Sequence, residues 1–252
     1  MTLTSRASLL FVAIPTLCSA WACGDPPPDP PAARIATQYI VAVDLSTSQD
    51  SADRATYKAL LHELTEELDF GDRLVLFKAH AAGLQDTSVV RPLSIARTRG
   101  PRPLPKEAAA RDIMRETASG RVTSLFRNEQ IRGTDLLATL HTAGELAEAP
   151  SDSTRTVLVL LSDMLQCAQG VCMEPPRGQV PDSAWIEARK QEGRLPSIQR
   201  MCVVVIGADE FAAEGVRIRE FWRRYLAAAG ANLDAKRYVH RASSAELLKC
   251  KD

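Results

Sequence analysis

Four uninterrupted apolar runs constrain the fold of this 252-residue chain more than any other feature. They lie at residues 39–43, 74–77, 157–161 and 202–206. Strands without alternating polar positions are covered on both faces, which is typical of parallel sheets. Between the runs, leucines recur three and four residues apart, which predicts helices that cross over between strands. The pattern predicts an α/β fold with a doubly wound, mostly parallel central sheet flanked by helices.

Less regular segments complete this architecture. Pro92 lacks an amide hydrogen, so a short strand at residues 89–93 is expected at an edge of the sheet. Further helices are predicted at residues 106–118 and 212–229, and a last strand near residues 237–240. The glycine and proline residues of segment 169–184 predict a loop over one end of the sheet.

Charge and composition exclude two classes of protein. The 31 basic residues balance the 31 acidic residues, so the chain lacks the general attraction that a nucleic-acid partner requires. No apolar run reaches the roughly 18 residues of a membrane-spanning helix. With 45% hydrophobic residues the chain can bury one sizeable core, so a single folded domain is expected.

The first 22 residues have the layout of a secretory signal. Arg6 precedes a short apolar stretch, and small residues follow up to Ala22. Residues 1–22 are therefore predicted to be a signal peptide, and the protein is expected to be exported to the periplasm or cell envelope.

Cleavage before Cys23 has two interpretations. Ala20-Trp21-Ala22 fits an ordinary signal-peptidase site, which leaves Cys23 as a free or disulfide-bonded thiol. Ala22-Cys23 also resembles the end of a bacterial lipoprotein signal, which predicts lipidation of Cys23 and membrane contact through that anchor alone. The proline-rich segment 23–37 is predicted to be an extended tether.

The remaining cysteines are expected to form disulfides in an oxidising compartment. Cys167 and Cys172 are predicted to pair, closing a six-residue loop. A zinc site is the alternative, but after Cys23 there is no second close cysteine pair, and the four histidines are scattered. Cys202 lies in an apolar run and is either a buried thiol or bonded to Cys250, and the sequence leaves this open.

Hydroxyl and carboxylate residues follow the predicted strands. Residues 44–48 read D-x-S-x-S directly after the first apolar run. Thr134 lies at the start of a predicted helix, with Asp135 expected to cap that helix. Asp163 follows the third run. In open parallel sheets ligands bind at the carboxyl ends of the strands, so these residues are candidates for one site.

In this order and on this architecture, the motifs resemble the von Willebrand factor type A (VWA) domain and its metal-ion-dependent adhesion site. The resemblance covers residues 38–252 and implies a VWA/Rossmann-like fold. In that family the corresponding residues hold one divalent cation. The resemblance therefore implies metal ligation by Asp44, Ser46, Ser48, Thr134 and Asp163, and all five positions match.

The donor chemistry favours the same kind of ion. Two carboxylates and three hydroxyls are hard oxygen donors, which suit Mg²⁺ or Mn²⁺ better than zinc or copper. Neutral hydroxyls quench little of the charge of the ion, so it is expected to accept a further carboxylate. The predicted partner is a protein that donates an acidic side chain.

Three functions are compatible with these residues. The first is an exported, lipid-anchored binding module that uses the cation. The second is a metal-dependent hydrolase, but the chain has no G-x-S-x-G elbow, no phosphate-binding loop and no H-E-x-x-H motif, so we expect no enzymatic activity. The third is a structural domain of the same fold that does not use the ion. The sequence does not identify the partner.

Overall fold

The apolar runs form the centre of a six-stranded sheet in the computed structural model. The structure describes residues 35–80, 88–90, 104–127, 133–149, 154–176, 178–209 and 211–250. The strands in chain order are β1 (Ala36–Val43), β2 (Arg73–Lys78), β3 (Ser88–Val90), β4 (Thr154–Leu161), β5 (Cys167–Ala168), β6 (Val171–Cys172), β7 (Cys202–Ile206) and β8 (Tyr238–Val239).

Strand pairing confirms the predicted architecture. The spatial order of the large sheet is β3-β2-β1-β4-β7-β8. All neighbours pair in parallel except β3, which lies antiparallel at the edge beside β2. The chain leaves β1 towards β2 on one side and returns to β4 on the other, so a topological switch point lies beside the end of β1.

Helices cover both faces of this sheet. They are α1 (Ser51–Glu67), α2 (Pro105–Leu125), α3 (Leu136–Leu146), α4 (Ser183–Gln191) and α5 (Ala213–Ala228), with short 3-10 helices at Ala235–Arg237 and Ala245–Lys249. Helix α4 was not predicted, because only Ile186 and Arg189 of its residues are buried and the apolar period is weak. The carboxylate of Asp182 caps it by accepting from the amide of Trp185.

Two buried clusters, one on each face, explain the unbroken apolar runs. In β1, Ile40 and Ala42 belong to the cluster that includes α3 and α5 residues. Tyr39, Val41 and Val43 belong to the cluster that includes α1 and α2 residues. Both faces of the strand are thus removed from water, so a polar side chain pointing to either face would be buried.

The structure contains two disulfides. The predicted Cys167–Cys172 bond is confirmed and joins β5 to β6 in a two-stranded hairpin. The pairing that the sequence left open is a bond between Cys202, the first residue of β7, and Cys250. Four cysteines are therefore disulfide-bonded, as expected for a protein in an oxidising compartment.

The amino-terminal predictions fall mainly outside the described residues, since the signal peptide 1–22 and Cys23 precede Ile35. The tether was predicted to extend to residue 37, but Ala36 and Thr37 already pair with β4 as the first residues of β1. Among the described residues, no helix combines the length and apolar character needed to cross a bilayer.

Candidate metal site

Three loops meet at the carboxyl ends of β1 and β4. The amide of Asp44, just after β1, donates to the carbonyl of Leu161 at the end of β4 at 2.8 Å. This places Asp44 beside Ser162 and Asp163, which continue from β4. The third loop contains Thr134 and leads into α3. The loops lie at the switch point of the sheet, where open α/β folds bind ligands.

The carboxylate of Asp44 is the centre of this arrangement. Its Oδ1 accepts a hydrogen bond from the amide of Ser46 at 2.9 Å. Its Oδ2 accepts from the hydroxyl of Thr134 at 3.0 Å and from the hydroxyl of Ser162 at 2.9 Å. The residue is 1% exposed. A buried carboxylate with three donors is held in a single orientation.

The D-x-S-x-S loop presents its two serines together. The hydroxyl oxygens of Ser46 and Ser48 lie 2.7 Å apart. Arg54 of α1 supports this loop, because its Nη2 donates to the carbonyls of Leu45 at 3.1 Å and Ser46 at 2.7 Å. The spacing of two residues therefore places both hydroxyls on one side of the turn.

Asp163 contributes the second carboxylate. Burial and the nearby negative charge of Asp44 raise its pKa to about 6. Hydrogen bonds from the amide of Leu165, at 3.0 Å to Oδ1, and from the side chain of Ser48 act in the opposite direction. Two adjacent carboxylates destabilise each other's charge, and a cation between them would relieve that repulsion.

All five predicted ligands thus lie close together. Thr134 donates to Asp44, the hydroxyls of Ser46 and Ser48 lie 2.7 Å apart, and both Ser48 and Asp44 are close enough to Asp163 to shift its pKa. The set contains only oxygen donors with two carboxylates, so the residues present fit a hard divalent cation such as Mg²⁺ or Mn²⁺. Ligation itself stays a prediction. Asp135 lies beside this set as the N-cap of α3, accepting from the amide of Ala138 at 3.0 Å, as expected.

Sequence reasoning did not identify Ser162 as part of the site. Its hydroxyl donates to Asp44 and also accepts from the amide of Met164 at 3.0 Å. The only available signal was its position between a buried strand and Asp163. Ser162 therefore orients the central carboxylate rather than adding a donor of a new type.

Tyr57 is a second residue that sequence reasoning did not assign to the site. Its hydroxyl donates to Oε1 of Gln49 at 3.0 Å, just after the serine loop. Burial raises the pKa of Tyr57, and the nearby carboxylates of Asp53, Asp163 and Asp44 raise it further. Its position on the apolar side of α1 indicated only that it packs in the core. Tyr57 is therefore a neutral group packed beneath the acidic site.

A second candidate cluster offers no cysteine thiolate to a metal. The sulfurs of Cys167 and Cys172 lie close to a carboxylate oxygen of Glu174. However, both sulfurs belong to the disulfide. A metal binds the thiolate, which a disulfide lacks, so the zinc alternative has no support at this position.

No family model matches the chain, and no curated protein matches it. Similar solved structures include the pilus adhesin SpaC from Lactobacillus rhamnosus GG, with 12% identity, 85% of this chain and 28% of that chain covered, and a TM-score of 0.43. The conserved hypothetical protein BatB from Bacteroides thetaiotaomicron is 17% identical, and the match covers 82% of this chain and 91% of BatB. Its TM-score is 0.42.

A von Willebrand factor type A protein from Catenulispora acidiphila has 15% identity, coverage of 82% of this chain and 39% of that chain, and a TM-score of 0.39. The chain therefore spans less than half the length of the adhesin and of the Catenulispora protein. The family resemblance rests on the site residues of this chain and on their order along it.

Proposed function

We propose that this chain is an exported VWA-like binding module that engages a protein partner through Mg²⁺ or Mn²⁺ held at the site described above. The observation that carries this proposal is the 3.0 Å hydrogen bond from Thr134 to Asp44, across 90 positions of sequence. It brings the loop of Thr134 to the loop of Asp44, and Asp163 in the third loop is close enough to Asp44 and Ser48 for both to shift its pKa. A Thr134 side chain beyond reach of Asp44 would instead have favoured a structural domain that does not use the ion.

The ligands would be Asp44, Ser46, Ser48, Thr134 and Asp163. The ion would supply a Lewis acid for an oxygen of the partner. Because three of the five donors are neutral hydroxyls, two carboxylates would leave the ion able to attract a further acidic group. The partner would therefore donate an aspartate, a glutamate or a terminal carboxylate.

Export and anchoring belong to the same proposal. Two disulfides are typical of proteins that fold in an oxidising compartment. A lipid on Cys23 and an extended proline-rich segment would hold the folded domain away from the membrane surface. The site would then be available to partners in the periplasm or at the cell surface.

Binding, rather than catalysis, suits the groups that the site brings together. The side chains nearest to Asp44 are hydroxyls that donate to it, and these orient the carboxylate. The sequence contains none of the three catalytic motifs considered above. We therefore propose no enzymatic activity, and the balanced charge leads us to propose no nucleic-acid partner.

Calorimetric titration of Mg²⁺ and Mn²⁺ tests the metal site. Wild type is expected to bind one ion, and Asp44→Asn is expected to give no binding heat, since it removes one of the two negative charges. Asp72→Asn is the matched control, because Asp72 is an equally buried carboxylate at the opposite end of the sheet. Equal heats from wild type and Asp44→Asn would contradict the metal site.

Capture from envelope extract tests the partner. Immobilised wild type with Mg²⁺ is expected to retain a protein that chelator releases, whereas Asp44→Asn retains none of it. Modification of carboxyl groups in the extract is expected to abolish retention. A partner that remains bound in chelator would show that binding does not use the ion.

A further inference from the structure

We infer that the disulfide-closed hairpin at residues 166–173 sets the cation affinity by fixing the Thr134 loop against the Asp163 loop. The inference rests on the proposed function, since it concerns the same ion. The hairpin contains β5, β6 and the Cys167–Cys172 bond. It begins three residues after Asp163, and its contacts reach the start of α3, two residues after Thr134.

Gln166 is the first connection between the two loops. It is fully buried, and its Oε1 accepts from the amides of Leu136 at 2.6 Å and Leu137 at 3.2 Å. The first amides of a helix have no partner within the helix, so this side chain supplies one. Its Nε2 donates to Oδ1 of Asp135 at 3.4 Å and to the carbonyl of Ala168 at 3.1 Å. Gln166 therefore ties the start of α3 to the hairpin.

The backbone makes a second connection. The amide of Cys167 donates to the carbonyl of Thr134 at 3.1 Å. The amide of Met173 donates to the carbonyl of Gln166 at 2.7 Å, which closes the base of the hairpin. The proposed ligand Thr134 is thus hydrogen bonded directly to a residue of the disulfide.

The tip of the hairpin makes a third connection. Nε2 of Gln169 lies 3.0 Å from both carboxylate oxygens of Asp135. Gln169 and Gly170 have φ values of 51° and 77°, so a tight turn presents this amide. Asp135 follows Thr134 and caps α3, so the tip restrains the same carboxylate that Gln166 contacts.

These connections depend on a closed hairpin. Its strands have two residues each, and an isolated two-stranded hairpin is marginal in water. The disulfide keeps the strands together and so keeps Cys167 and Gln169 against the Thr134 loop. A neutral hydroxyl is a weak ligand, so freedom in its position lowers the affinity for the ion. Gln166 and Gln169 are therefore positioning residues.

The second disulfide provides a matched control. Cys202 is the first residue of β7, so the Cys202–Cys250 bond lies at the opposite end of the sheet from the site. We would titrate Mn²⁺ alone into wild type, Cys167→Ser/Cys172→Ser and Cys202→Ser/Cys250→Ser, and record the melting temperature of each. The first double variant is expected to raise the Kd for Mn²⁺ about tenfold, which is typical when groups that position a metal ligand are lost. The second is expected to leave the Kd unchanged while lowering the melting temperature more.

Gln169→Met is the milder variant if the first double variant does not fold. It keeps the length of an exposed side chain and removes only the donor to Asp135. We expect its Kd for Mn²⁺ to rise several-fold with little change in melting temperature.

An unchanged Kd in the Cys167→Ser/Cys172→Ser variant, or an equal rise in both double variants, would overturn the inference. An unchanged Kd in Gln169→Met would do so where the double variant does not fold. Wild type that fails to bind Mn²⁺ would overturn the proposed function and the inference together, so the two failures are distinguishable.

Discussion

The indole Nε1 of Trp222, on α5, donates a hydrogen bond to the carbonyl of Met164 at 2.9 Å. Met164 directly follows Asp163 and has a φ of 65°, a left-handed conformation that is costly for a residue with a side chain. Its amide is also bonded, to the hydroxyl of Ser162. Core side chains thus hold the backbone that positions one of the two carboxylates.

Trp222→Phe is expected to destabilise the fold by about 2 kcal/mol or more, because the Met164 carbonyl loses its donor and the smaller ring leaves space. Urea unfolding measures this loss. Trp185→Phe is the control, since Trp185 is only partly buried at the edge of the same aromatic cluster. A smaller loss for Trp222→Phe than for Trp185→Phe would show that this hydrogen bond contributes little.

The sheet could be predicted because its central strands are buried on both faces. Residues 202–206 of β7 match the predicted run at both ends, and β3 lies at the predicted edge. Helix α4 could not be predicted, because most of its surface faces solvent and its apolar period is short. Burial on both faces leaves a strong sequence pattern, whereas partial burial of a short helix leaves a weak one.

The site was predictable where its residues follow strands. Asp44 and Asp163 end two runs that are adjacent in the sheet, and a parallel sheet brings such ends together. Gln166 has no comparable pattern, because its partners are helix amides 29 and 30 positions away. The Cys202–Cys250 pairing was also open, since it depends on the path of the chain after β8.

Stabilisation by Mg²⁺ is expected to depend on pH through Asp163. In the cation-free protein its pKa is about 6, above its ordinary value of 3.8, so the folded state binds the proton more tightly than the unfolded state. The Asp163 carboxyl therefore lowers the stability of the cation-free fold as pH rises from about 3.8 to about 6. A cation requires the ionised carboxylate, so its binding weakens as pH falls below about 6.

Thermal melts with and without Mg²⁺ at about pH 8 and about pH 5 measure this dependence, since bound ligand raises the melting temperature. We expect a clear rise at the higher pH and little at the lower. Asp163→Asn should show no rise at either pH. An equal rise at both pH values in wild type would argue against Asp163 as a ligand.

The two disulfides are expected to stabilise the fold unequally. Cys202 and Cys250 are 48 positions apart, whereas Cys167 and Cys172 are 5 apart. On the chain-entropy model the longer loop contributes about 4 kcal/mol and the shorter about 2 kcal/mol. Urea unfolding of the two double-serine variants measures both values, and the reverse order would mean that loop length does not govern their contribution.

Gly207→Ala is expected to destabilise the fold, because the added methyl group would collide with residues beside the proposed metal site. Gly207 follows β7 with a φ of 111°, where a side chain is strained. A Cβ there would overlap the hydroxyl of Tyr57 and lie 3.0 Å from the carbonyl of Ser162. Tyr57 would have to move away from Gln49, so we expect a loss above about 2 kcal/mol in urea unfolding.

Two further variants separate the overlap from the backbone strain in Gly207→Ala. Tyr57→Phe removes the overlapping hydroxyl, so Gly207→Ala should cost less in that background while the strain at φ remains. Gly120→Ala is the control, since Gly120 is exposed on α2 with no atom near its Cβ position, and it should stabilise by about 1 kcal/mol. If Gly207→Ala costs the same with and without the Tyr57 hydroxyl, that hydroxyl does not limit the approach of β7 to the site. The glycine would then be required by its backbone conformation and by the contacts that remain, with the Tyr57 ring and the Ser162 carbonyl.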